Sequence, residues 1–289
     1  MIQPANTLPP DGAPDAAWRA FLASYAHIVL VANSDETDMA ALERDFPQGT
    51  LFVFFNKVYK VLDGVFSRPA ILVSRSGMMG ANIVHRREVP EVVGHFDPNG
   101  FLGILNIIIG NDERFSTPAE FGLDRVAHLD LELVVSGFYP QGMVPTTGFG
   151  LCVWLTRLDL PARITLAGFS SRRSERWKVF DIHDWTFEQI VLRLLFRKGE
   201  IDLIGHDRED CLAELPRHFP QFSAADIASA TDEVLAERLA HMGSTIDRLM
   251  SVTKPLRYLD QSFRKLRPKT RKQKYLARKA AEKGKPPQG

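Results

Sequence analysis

The run Ile28-Val29-Leu30-Val31-Ala32, closed by Asn33-Ser34-Asp35, decides how this chain folds. A continuous apolar run suits a strand buried on both faces, as in a parallel sheet. Two further runs repeat it. Leu51-Phe52-Val53-Phe54-Phe55 ends at Asn56-Lys57, and Ala70-Ile71-Leu72-Val73 ends at Ser74-Arg75-Ser76-Gly77. Phe101 to Ile109, Ile164 to Ala167 and Ile201 to Ile204 read as further strands. Helical spacing places a first helix over Asp15 to Ala26, with Trp18, Phe21, Leu22 and Tyr25 on one side. A buried helix is expected over Phe149 to Leu160. An amphipathic one is expected over Trp185 to Arg197, stopped by Lys198-Gly199. Residues 121–135 fit helix and strand equally. The alternation of strands and helices predicts an α/β fold with a mainly parallel sheet.

The outer parts read differently. Residues 1–14 are polar and proline-rich and are expected to be disordered, without the basic start and apolar core of a secretory signal. The main domain is expected over 15–210. Ala224 to Arg248 looks helical, opened by the capping-box spacing of Ser223 and Asp226, so 211–263 reads as a helical appendix. A polybasic, disordered tail, 264–289, follows.

The 289 residues suffice for a sizeable core, and 45% apolar and 25% charged residues are ordinary for a globular protein. No apolar run of about 18 residues exists, so no membrane span is expected. Cys152 and Cys211 make no disulfide framework and have no metal-ligand spacing, which fits a reducing, cytoplasmic setting. The net charge of +1 hides an asymmetry: residues 264–289 carry eleven Lys/Arg and one acid, while the rest carries 25 bases and 34 acids. Such a tail suggests attraction to an anionic membrane surface; a solvated tail with no specific partner comes next, and nucleic acid is the weakest reading.

Three strands ending in Asn33-Ser34, Asn56-Lys57 and Ser74-Arg75 form a rim suited to an anionic, hydroxylated ligand, since doubly wound sheets bind ligands beyond the carboxyl ends of their strands. Pro145-Thr146-Thr147-Gly148-Phe149 opens the buried helix. Hydroxyls, a glycine and the free N–H groups of a first turn can cradle an anion there. His183, just before the N-cap Asp184 of the second helix, offers acid–base chemistry, and a helix start favours its neutral form. Glu188 could brace that cap or bond to a neighbouring loop. Arg172, Arg173, Arg176 and Lys178 form a basic cluster between strand and histidine. There is no P-loop, no Gly-x-Gly-x-x-Gly after a strand and no zinc-type spacing. Asp130-Leu131-Glu132 reads as strand surface rather than a metal site.

In this order the motifs resemble those of the sialyltransferase superfamily, in a bacterial version. Pro145-Thr146-Thr147-Gly148 resembles its Pro-Ser/Thr-Thr/Ser-Gly motif, and His183 to Glu188 its His-x-x-x-x-Glu. The Asn33 and Asn56 strand ends resemble its first long motif. The resemblance covers about residues 27–205. It implies a Rossmann-like fold and inverting, metal-independent transfer of a 2-keto acid sugar, sialic acid or Kdo, from its CMP donor to a glycan or glycolipid. His183 would be the general base. Thr146, Thr147, Gly148, Phe149 and Glu188 would lie at the CMP moiety, and Asn33, Ser34 and Asn56 at its phosphate or ribose. No cofactor is implied, since the CMP-sugar is a substrate. The acidic Asp35-Glu36 departs from the family's glycine-rich turn. A cytidylyltransferase making a CMP-sugar and a nucleotide- or RNA-binding protein are the alternatives.

Overall fold

Strands that are apolar on both faces need a layer on each side, and the computed structural model has that arrangement. It describes residues 7–110, 112–170, 182–205, 219–237, 239 and 243. The chain divides into two compact units, 1–208 and 209–289. In the first, α1 (Asp15–Leu22) leads to β1 (His27–Val31), α2 (Met39–Asp45) to β2 (Leu51–Phe55), and a short 3-10 turn (Val58–Lys60) to β3 (Ala70–Gly77). Then come β4 (Gly80–Ala81), α3 (Asn82–His85), α4 (Val89–Val93), β5 (Phe101–Ile108), α5 (Pro118–Phe121), β6 (Val126–Asp130) and α6 (Glu132–Val135). Finally α7 (Thr147–Arg157), β7 (Arg163–Ala167), α8 (Trp185–Lys198) and β8 (Asp202–Leu203) complete the unit.

The strands lie in the order β6-β5-β3-β2-β1-β7-β8, all parallel, with β4 antiparallel on β3. This is the expected mainly parallel, Rossmann-like α/β architecture. Ile28 pairs with both Leu51 and Ile164, so β1 is central. Successive strands run outward from β1 through β2, β3 and β5 to β6. The chain then returns to the other side of β1 with β7. The order therefore reverses between β1 and β7, and that switch point is where such sheets bind ligands.

Alternate strand residues feed two cores. On one face Ile28, Leu30, Val53, Phe55, Ile71 and Val73 pack with α1, α7 and α8. On the other, Val29, Val31, Phe52, Phe54 and Leu72 pack with residues of α2, α3 and α4. The tryptophans of α1 and α7, Trp18 and Trp154, meet edge to face at 5.7 Å, and Trp154 Nε1 donates to Asp15 at 3.2 Å. Among the described residues no helix is long and apolar enough to cross a membrane.

Four readings change. The first helix is shorter than expected and ends at Leu22. Residues 121–135 split into β6 and α6. Asp130 and Glu132 therefore do not share a strand surface; Glu132 lies in α6, and its N–H donates to the Asp130 carboxylate at 2.9 Å. Disorder over 1–14 fails for its second half. Leu8 and Ala13 pack on the core, Pro9 is buried, and the Asp11 carboxylate lies 2.9 Å from His128 Nδ1. Prolines stiffen the unfolded chain, so docking this segment costs less entropy than its composition suggests.

In the second unit the capping box forms. Asp226 N–H donates to Ser223 Oγ at 3.1 Å, and Ser223 N–H to Asp226 Oδ2 at 2.8 Å. Residues 224–237 are helical. The basic tail 264–289 and Cys211 lie outside the described residues.

Candidate functional site

Helix α7 opens at the Pro145–Phe149 motif, two residues before the expected Phe149, and ends at Arg157 rather than Leu160. Thr146 has extended backbone and is the N-cap, its hydroxyl accepting from the Phe149 N–H at 3.2 Å. The N–H groups of Thr147 and Gly148 have no acceptor among the described residues, as expected for a first turn.

The anion at this helix start is the protein's own. Glu188, on α8 and 3% exposed, accepts from the Thr146 N–H at 2.7 Å and the Thr146 hydroxyl at 2.6 Å. It also accepts from the Tyr139 hydroxyl at 2.8 Å. Burial pushes the Glu188 carboxyl up, and the bonds from Thr146 and Tyr139 pull against it. Thr146 thus spends its polar groups on Glu188 and the cap, and Thr147 and Gly148 keep the free donors. Both expected tasks of Glu188 reduce to one: it braces the neighbouring loop, while Asp184 caps α8 by accepting from the Phe187 N–H at 2.9 Å.

His183 is tied to the same loop. Its Nδ1 lies 2.5 Å from the Val144 carbonyl oxygen, and the Val144 N–H donates to the Ile182 carbonyl at 2.9 Å. A carbonyl only accepts, so Nδ1 carries the proton and the neutral ring has its lone pair on Nε2. Burial pushes the imidazole pKa down and the Arg75 cation adds to this, against the bond to Val144. The Trp185 ring stands edge to face against it at 5.5 Å. The Asp184 N–H donates to the Tyr139 hydroxyl at 3.1 Å, so Tyr139 joins both motifs.

Gly148 and Phe149 serve packing. A Cβ on Gly148 would stand 2.5 Å from the Phe169 ring, so the missing side chain makes room for Phe169 rather than for an incoming ligand. Gly148→Val should therefore lower stability by roughly 1–3 kcal/mol through overpacking. Thermal melts read this, and an unchanged melting temperature would show that Phe169 moves aside freely. Phe149 is fully buried against Tyr139 and Phe187, so its side chain belongs to the core.

A second group lies at the ends of β1 and β2. Asn33 Nδ2 donates to the Phe55 carbonyl at 2.8 Å, which leaves Asn33 Oδ1 without a partner. Asn56, at φ 30°, also has an unpartnered Oδ1. The Ser74 hydroxyl is unpartnered too, but β3 runs on to Gly77 instead of ending at Val73 as expected, so Ser74 lies inside the strand. Two adjacent strands, β1 and β2, thus end beside buried amide oxygens with no partner among the described residues. The Ser34 hydroxyl accepts from the Glu36 N–H at 3.2 Å, closing a turn, and the Ser34 side chain lies against Gly168 at the switch point. Asp35 and Glu36 are exposed.

The structure therefore joins Thr146, Glu188 and His183 in one network and sets Asn33, Ser34 and Asn56 in a second group at the ends of β1 and β2, with no hydrogen bond among those three described residues. Among the described residues no hydrogen bond links the two. Packing does: Phe55, beside Asn56, meets Phe169 at 6.2 Å, and Phe169 faces Gly148. Arg172, Arg173, Arg176 and Lys178 lie outside the described residues. Two groups escaped the sequence reading, Tyr139 and Glu113; Arg75 was expected on a rim for an anionic ligand and is instead taken up by Glu113. An arginine inside a buried strand needs a buried acid, which was the signal for Glu113; nothing in the sequence marked Tyr139.

A separate cavity, lined by Tyr25, Gly49, Pro69, Gly100 and Leu102, sits at the amino ends of the strands, away from these residues. Cys152 is buried and free, and burial pushes its thiol up to about 12, so it is inert packing. Among the described residues no group of acids, histidines and cysteines could hold a metal ion. The sequence matches no family model and no curated protein.

Proposed function

We propose that the protein is an inverting glycosyltransferase that moves a 2-keto acid sugar, sialic acid or Kdo, from its CMP donor to a hydroxyl of a glycan or glycolipid. The observation that carries this reading is the joining of the Pro145–Gly148 and His183 motifs, far apart in sequence, by Glu188 and Tyr139 at the carboxyl end of a Rossmann-like sheet. In this mechanism the acceptor hydroxyl attacks the anomeric carbon as the bond from that carbon to the phosphate oxygen breaks. His183 Nε2 takes the acceptor proton and CMP departs with the bonding pair. The free N–H groups of Thr147 and Gly148 stabilise the departing phosphate. Hydroxyls of the ribose satisfy Asn33 Oδ1 and Asn56 Oδ1. The basic tail would hold the enzyme at the anionic inner face of a membrane, beside a lipid-linked acceptor.

Calorimetric titration with CMP, against UMP, GMP and AMP and in EDTA, tests the reading. Selective CMP binding without metal is expected. Binding of none of the four would remove the transferase reading and leave the fold alone.

A further inference from the structure

Arg75 follows the buried run Ala70–Val73 on β3, yet its side chain is only 12% exposed. A guanidinium withdrawn from water is costly unless it is paired and hydrogen-bonded. Glu113, 15% exposed, supplies the pair: its Oε1 accepts from Arg75 Nε at 2.9 Å and from Nη2 at 2.7 Å. Its Oε2 accepts from the Ile109 N–H at 2.6 Å, which fixes the loop after β5. The remaining nitrogen, Arg75 Nη1, donates to the Pro145 carbonyl at 2.5 Å. Pro145 lies between the two residues on which the site hangs. Val144 holds His183 through its carbonyl, and Thr146 holds Glu188 through its N–H. Proline has no N–H, so its carbonyl is the only backbone group there that can be gripped, and Arg75 grips it.

Resting on the transferase reading, we propose that Arg75, aligned by Glu113, is a positioning residue of this site: it fixes the Val144–Thr146 backbone that orients His183 and sets a cation beside the imidazole. Among the described residues, the titratable groups in this network are Arg75, Glu113, Tyr139, Asp184 and Glu188. The cation opposes protonation of His183, in the same sense as burial.

Titration of the His183 ring by NMR, in full-length protein with labelled histidine, tests this without any substrate. Arg75→Met removes the cation and leaves the Glu113 carboxylate, so the His183 midpoint should rise. Glu113→Gln removes the anion and leaves the cation, so the midpoint should fall. A residue that only held the loop would behave otherwise. Loosening would hydrate the ring in both variants, and both midpoints would climb toward the free value of about 6.5. Arg75→Lys keeps the charge and loses the fork. Its midpoint should stay near wild type, while kcat for transfer falls roughly tenfold to a hundredfold from misplacement, with KM little changed. Should Arg75→Met not fold, Glu113→Gln and Arg75→Lys carry the test. Midpoints that move up together, or that do not move, overturn the proposal. A wild-type protein that binds no CMP and transfers no sugar would sink the function, and the two opposed shifts would still decide what Arg75 does to His183.

Discussion

Transfer by His183→Ala should fall about 10²–10⁴-fold, the usual contribution of a positioned general base. CMP affinity should change little, because the proposed nucleotide contacts lie on Thr147, Gly148, Asn33 and Asn56. The argument rests on the tautomer. Val144 takes the Nδ1 proton, so the only lone pair the ring can offer is on Nε2. Burial, with the Arg75 cation, keeps the ring's pKa below its ordinary value, so the base form persists through neutral pH. The sign for stability follows. The unfolded chain holds this proton more tightly than the folded one, so His183 makes stability rise with pH as the ring deprotonates, and costs stability below about pH 6.5. The acid limb of the kcat/KM profile should accordingly bend below about 6.5. Turnover that survives His183→Ala within about threefold would remove the base from this residue. Loss of transfer together with loss of CMP binding would point to a collapsed loop, and circular dichroism separates that case.

Much of this was legible in the sequence, and for a definite reason. The strands β1 and β2 and the first half of β3 are buried on both faces, so each shows as an apolar run whatever its neighbours are, whereas the second half of β3, Ser74–Gly77, is polar and was read as a loop. The starts of α7 and α8 were marked by Thr146 and Asp184, which cap them as their residue types suggest. Short elements were not legible. β6 and α6 are five and four residues long and meet at the buried Leu131, so neither period has room to repeat. The N-terminal segment misled by composition, because prolines mark disorder only when no apolar anchor such as Leu8 docks beside them. Within the candidate site, Thr146, His183 and Glu188 do come together, but the partners that join them were hidden. Glu188 was visible as an acid near His183, but its bonds reach back 42 and 49 residues, to Thr146 and Tyr139. No local spacing encodes such a bond. The anion-cradle reading of Thr146 failed for the same reason: a buried carboxylate from another helix arrives there first.

Glu188 is for that reason the residue whose loss should cost the fold most within this site. Glu188→Ala would strand the Thr146 N–H, the Thr146 hydroxyl and the Tyr139 hydroxyl, and buried unsatisfied donors cost about 1–3 kcal/mol each. Part of that is recovered, because the Tyr139 hydroxyl lies within reach of the Val144 carbonyl at 3.4 Å. A net loss of about 3 kcal/mol is expected, or roughly 6–12 °C in melting temperature for a unit of this size. Glu188→Gln separates the hydrogen bonds from the charge. The amide oxygen can still accept from the Thr146 N–H and Tyr139, and the amide nitrogen can donate to the Thr146 hydroxyl, so its loss should be under about 1.5 kcal/mol. The charge has its own signature. Burial raises the folded pKa of Glu188 above the unfolded value, so the folded state binds the extra proton and ionisation erodes stability as pH climbs above about 4.3. The Gln variant lacks that group, so it should gain on wild type as pH rises from about 4 toward neutral. Equal melting temperatures for Glu188→Ala and wild type would mean that this carboxylate does not hold the two motifs together. The geometry of His183 would then have to come from Arg75 and Val144 alone.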